Sequence, residues 1–87
     1  MNALPANRAL RKAREEEGLT LMGAAYAVGV SISHWSGMET RGTLPSLTVA
    51  FRISRLLGRT IEELFGEVAD DSATFDPDAH FAKSLYK

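Results

Sequence analysis

Apolar positions three and four apart recur in short bursts between residues 7 and 66, and most bursts close on a glycine. Strands would alternate apolar and polar positions, so this spacing predicts a chain of short amphipathic helices. Asn7 can cap a first helix running to about Glu17, with Leu10 and Ala13 facing inward. Arg8, Arg11, Lys12 and Arg14 are expected around its outside. Glu15 and Glu16 would pair with Arg11 and Lys12 four residues earlier. Gly18 closes that helix and Leu19 returns to the core. Further on, Ser46 announces a fourth helix with an apolar stripe of Leu47, Ala50, Phe51 and Leu57, widened by Ile53 and Leu56. Gly58 ends it. Thr60 to Glu63 reads as a capping box, so a fifth helix begins at Ile61, is anchored by Leu64 and Phe65, and stops at Gly66.

Between these lies the stretch that organises the chain, TLMGAAYAVGVSISHWSGME, residues 20–39. Thr20 caps a second helix in which Ala24, Ala25 and Val28 share one face. Gly29 breaks the run and tolerates a turn with positive φ, while small Ala25 lets the next helix approach closely. Ser31 can cap that third helix, expected from about Ile32 to Glu39. At about 100° per residue, Ser31, Trp35 and Met38 cluster on one side, and Ile32, Ser33, Ser36 and Gly37 on the other. Two short helices meeting at a sharp angle form a helix-turn-helix, whose second helix can lie in a DNA major groove. Thr40 to Pro45 reads as a loop with its turn at Arg41-Gly42.

Charge changes this picture in detail. The 87 residues carry a formal net charge of −1, which is unpromising for a partner of DNA. Residues 1–59, however, set eight basic side chains against Glu15, Glu16, Glu17 and Glu39, a net of +4. Residues 60–87 set seven acidic side chains against Lys83 and Lys87, a net of −5. A basic body can meet phosphate while an acidic tail stays clear of it. The division expected is a flexible lead over 1–6, an all-α domain over 7–66, and an acidic C-terminal extension over 67–87. Within the extension, Phe75-Asp76-Pro77 looks like a helix start, and Phe81, Leu85 and Tyr86 could dock on the domain, a partner subunit or another protein.

Composition excludes several classes. The absence of cysteine removes disulfides and thiolate metal sites. His34 and His80 lack companions, so no metal or cofactor is expected. No nucleophile–base set, carboxylate pair or phosphate loop suggests an enzyme. No apolar run approaches a membrane span and the N-terminus lacks a secretory core, so a cytoplasmic location is expected.

Residues 10–65 as a whole resemble the lambda-repressor-like, Cro-type (XRE family) helix-turn-helix regulators. The landmarks stand in order: the EEEGLT leader, Ala25, Gly29-Val30-Ser31, Glu39, Pro45-Ser46-Leu47, Leu57-Gly58, and Glu62-Glu63-Leu64-Phe65. The resemblance implies a five-helix DNA-binding domain acting as a transcriptional regulator, usually a repressor dimer on an inverted-repeat operator. Such regulators are common on phages and mobile elements. Carried onto this chain, the double-stranded DNA surface is Thr20, Leu21, Ser31, Ile32, Ser33, His34, Ser36, Gly37 and Arg41, with Arg8, Arg11 and Arg14 reaching flanking phosphates. Arg52 and Arg55 are open to phosphate or a dimer seam. A homodimer seam would use Leu64, Phe65, Phe75, Phe81, Leu85 and Tyr86. Two departures stand out. Leu21 replaces a glutamine that commonly touches phosphate in the family, and the reading face is small and neutral. They keep open an alternative, a protein-binding module of the same fold such as an antitoxin or anti-activator. Trp35 replaces an aliphatic core residue and is expected to be core.

Overall fold

A computed structural model describes residues 6–70 of the chain. The expectations for Phe75, His80, Phe81, Leu85 and Tyr86 lie outside the described residues. Five helices follow one another: α1 (Arg8–Glu16), α2 (Leu21–Val28), α3 (Ile32–Arg41), α4 (Leu47–Leu57) and α5 (Ile61–Asp70). The described residues form an all-α domain with no strand, the five-helix, lambda-repressor-like arrangement.

Local side-chain chemistry starts each helix. Asn7 Oδ1 accepts from the Leu10 amide at 3.0 Å, Thr20 Oγ1 from Gly23 at 3.0 Å, and Ser31 Oγ from His34 at 2.9 Å. Ser46 Oγ accepts from Val49 at 3.3 Å. At α5 the box is reciprocal: the Glu63 amide donates to Thr60 Oγ1 at 3.0 Å and the Thr60 amide donates to Glu63 Oε1 at 2.8 Å. Each cap satisfies an otherwise orphan amide and contributes about 1 kcal/mol.

The core takes one patch from every helix: Leu10 and Ala13, Ala24, Ala25 and Val28, Trp35 and Met38, Ala50, Ile53 and Leu57, Leu64 and Phe65. α2 packs on α3 and α4, while α1 packs on α3 and α5. Three boundaries or faces differ from the pattern-based reading. The buried line of α4 is Ala50, Ile53 and Leu57, whereas Leu47 is 68% and Phe51 55% exposed. Leu47 and Phe51 lie roughly 100° round the helix from that line, on the side no other described helix covers. α3 continues through Thr40 and Arg41 and ends at Gly42, where φ is +71°. α5 passes through Gly66 to Asp70, because Glu67, Val68 and Ala69 still suit a helix and Val68 and Ala69 are half-buried.

A polar weld joins the elements across the apolar core. Arg14 and Glu39 are both buried. Arg14 Nε and Nη2 donate to the two Glu39 carboxylate oxygens at 2.6 and 3.1 Å, and Nη1 donates to the Leu19 carbonyl at 2.7 Å. Trp35 Nε1 donates to Glu39 Oε2 at 2.6 Å. The Asn7 amide donates to the Glu39 carbonyl at 2.9 Å, and Asn7 Nδ2 to the Leu64 carbonyl at 2.8 Å. α1, α3 and α5 are thereby tied at fixed angles. Among the described residues no helix is long and apolar enough to cross a membrane.

Candidate nucleic-acid interface

The turn between α2 and α3 is built on Gly29, whose φ of +79° a side chain would disfavour. The Val30 amide donates to the Ala25 carbonyl at 3.0 Å, closing the end of α2. Arg52 Nη1 also donates to the Val28 carbonyl at 3.3 Å, so this arginine braces the turn from α4. Arg52 is otherwise exposed.

Beyond the turn, Trp35 and Met38 are 0% exposed. Their burial fixes the rotation of α3 about its axis. Ile32 is 45% exposed, Ser33 is exposed, and Ser36 and His34 are half-buried. Ser31 is exposed at the cap. A continuous small, neutral surface therefore covers the first two turns of α3. Thr20 is exposed with its hydroxyl committed to the Gly23 amide, and Leu21 is half-buried against the core. The first amides of α2 and α3 have no intrahelical acceptor, and the cap hydroxyls take up those of Gly23 and His34.

A family model described as a helix-turn-helix domain matches residues 8–64, which span α1 to the start of α5. The chain belongs to the helix-turn-helix domain family. No curated protein and no solved structure matches it significantly. A helix-turn-helix domain is a DNA-binding unit, and DNA is the partner this membership supports.

Within the helix-turn-helix domain, the sites expected to contact DNA separate into two groups. In the first, Thr20, Ser31, Ile32, Ser33 and Arg41 are exposed and Ser36 is half-buried. Gly37 does not join them as an open surface position, since it is buried. Its angle on α3 does point away from Trp35 and Met38, but the Arg41 side chain lies over it. Arg41 itself stands in the last turn of α3, and not in a loop.

Of the three flanking arginines, Arg8 is exposed and Arg11 is exposed beside Glu15, at 3.3 Å. Arg14 is withdrawn from any phosphate contact. It is 8% exposed, and its hydrogen bonds to Glu39 raise its pKa above the ordinary arginine value against the opposing effect of burial. Glu16 does not pair with Lys12; Arg59 reaches it from the α4–α5 connection at 2.7 Å. Arg55 is exposed.

The expected seam residues Leu64 and Phe65 are 2% and 4% exposed and belong to the core of the helix-turn-helix domain, although Phe65 also lines the floor of an apolar groove. The exposed apolar surface lies elsewhere. Leu44, Leu47 and Phe51 are 44%, 68% and 55% exposed, and Leu44 and Leu47 line a groove of about 310 Å³ together with Pro45, Ile61, Phe65 and Ala69. Met22 and Tyr26, 64% and 87% exposed on the outer side of α2, add a second exposed apolar pair. Their i,i+4 spacing off the Ala24–Ala25–Val28 face was the available signal.

Proposed function

We propose that this domain is a sequence-specific transcriptional regulator of the lambda-repressor-like, Cro-type group, a repressor that binds an inverted-repeat operator as a homodimer with α3 in the major groove. The observation that carries the reading is the complete burial of Trp35 and Met38, which leaves Ile32, Ser33 and Ser36 outward on the start of α3. The N-terminal part of a recognition helix is the part that reaches base edges. Ile32 can touch a thymine methyl, and Ser33 and Ser36 can bond to base edges or phosphate. Leu21 contributes its backbone amide at the start of α2, where helix dipole and free N–H groups favour a phosphate. Arg8 and Arg41 add charge. With no bidentate arginine on the reading face, direct base contacts are few, and DNA shape and phosphate positioning take a larger share of specificity.

The test begins with footprinting on the DNA around the protein's own gene, followed by a salt titration on the protected fragment. Affinity should fall steeply as salt rises, as phosphate contacts require. Ser33→Ala and Ile32→Ala should narrow the gap between operator and mixed-sequence DNA by several-fold while leaving the salt slope unchanged. Binding indifferent to salt, or no protected sequence at all, would sink the reading and turn attention to the protein-binding alternative.

A further inference from the structure

A glycine inside a helix weakens it, and Gly37 sits in the middle of α3 without any positive φ to justify it. What it provides is space. A Cβ placed on Gly37 would lie 2.5 Å from Arg41 Nη2 and 3.2 Å from Arg41 Cζ. The guanidinium therefore occupies the volume that any other side chain at residue 37 would fill. The geometry is that of an i,i+4 pair in which the later side chain runs back toward the helix N-terminus. Thr43 Oγ1 closes the same recess, 3.6 Å from the virtual Cβ.

The charge so placed matters because Arg41 is the only Lys or Arg in α3. An arginine in a last turn is favoured there by the negative pole of the helix. The Arg41 guanidinium lies a turn back, over Gly37, which at about 100° per residue stands about 40° round α3 from exposed Ser33. We infer that Gly37 is a positioning residue that seats the Arg41 guanidinium against the outer side of α3, where it meets one DNA phosphate. The inference rests on the DNA-binding reading above. The obstructing atoms are the far end of a flexible side chain, so Gly37→Ala displaces the guanidinium without disturbing the fold. Helix propensity then rises while DNA contact is lost, and the two effects have opposite signs.

Four forms of the full chain test this: wild type, Gly37→Ala, Arg41→Gln, and the double variant. Affinity for one mixed-sequence duplex of about thirty base pairs is measured between about 50 and 200 mM salt. Arg41→Gln should lower the salt slope by about one phosphate contact and weaken binding on the order of tenfold at about 0.1 M salt. Gly37→Ala should do the same with a melting temperature equal to or above wild type, and the double variant should match either single one. A wild-type slope in Gly37→Ala overturns the inference, as do losses that add in the double variant. In the free protein, nuclear Overhauser contacts between the Arg41 side chain and the Gly37 α-protons should be present, and their absence also overturns it. If the contacts are present but the wild-type protein shows no salt-dependent binding, the DNA-binding reading has failed while the seat itself stands.

Discussion

A carboxylate as buried as Glu39, 5% exposed, persists only where donors surround it. Arg14 supplies two N–H groups and Trp35 a third, and no buried side-chain N or O among the described residues lacks a partner. Removing one partner of such a pair costs more than the pair contributes, because the other charge stays buried alone. Glu39→Gln keeps the shape and an acceptor for Trp35 but strands the Arg14 guanidinium. Urea unfolding followed by circular dichroism should show a loss of about 3 kcal/mol or more, a large part of the roughly 5–15 kcal/mol typical of a domain. A loss under about 1 kcal/mol would mean that water reaches the pair and the weld contributes little. The pattern of α1 carried half of this, although Arg14 is expected on its outside from charge alone. Arg14 stands four residues after Leu10, on the same helical face, and a charge on a buried face requires a counter-charge. The identity of the partner was not legible, because Glu39 lies 25 residues away and no local spacing links the two.

At the scale of elements, helix starts were readable and helix ends less so. Asn7, Thr20, Ser31, Ser46 and Thr60 are all caps, because capping is decided within four residues of chain. A glycine as a stop is weaker information. Gly42 and Gly58 end helices at positive φ, whereas Gly66 is carried through by the residues after it. The face of α4 was misjudged for a related reason: Leu47 and Phe51 fit an apolar stripe, but only neighbouring helices decide which side of it is covered. The α5 capping box allows a prediction with a definite sign. The Thr60 amide and hydroxyl hold the Glu63 carboxyl below its ordinary value of 4.5, the amide hydrogen bond having the larger effect. A depressed folded-state pKa means that the carboxylate's stabilisation is complete above the unfolded-state value and is lost as pH falls through the folded one. Stability of wild type minus that of Glu63→Gln should therefore be constant near neutrality and shrink below about pH 4.5. Thermal melts from pH 7 down to about pH 3 measure it, and a difference that stays flat through the acid range would mean the box is not formed in solution.

For the whole molecule, the question is how a domain with so neutral a reading face binds DNA tightly enough to regulate. Residues 6–70 hold eight basic and eight acidic side chains, and three ion pairs occupy Arg11, Arg14 and Arg59 internally. One copy offers few phosphate contacts, and two copies on adjacent half-sites double them and make the second contact intramolecular. The proposed seam must use surface that is both apolar and open, which leaves out Leu64, keeps Phe65 only as the floor of a groove, and favours exposed Phe51 together with Leu44 and Leu47, which line that groove. In a two-fold interface each side chain counts twice. Burying a leucine or phenylalanine contributes about 1.5–3 kcal/mol, so Phe51→Asp should weaken the dimer by about 3 kcal/mol or more, over a hundredfold in dissociation constant. Both Leu47 and Phe51 are exposed in the single chain, so Leu47→Asp and Phe51→Asp should leave helicity unchanged. Sedimentation equilibrium of wild type should give twice the 9.5 kDa chain mass, and of either variant a shift toward that mass. Both variants should lose more affinity for a two-half-site operator than for a single half-site, because only the former engages the partner. A wild-type protein that stays at 9.5 kDa at high concentration removes the dimer altogether. A dimer indifferent to both substitutions keeps the assembly but moves its seam off α4.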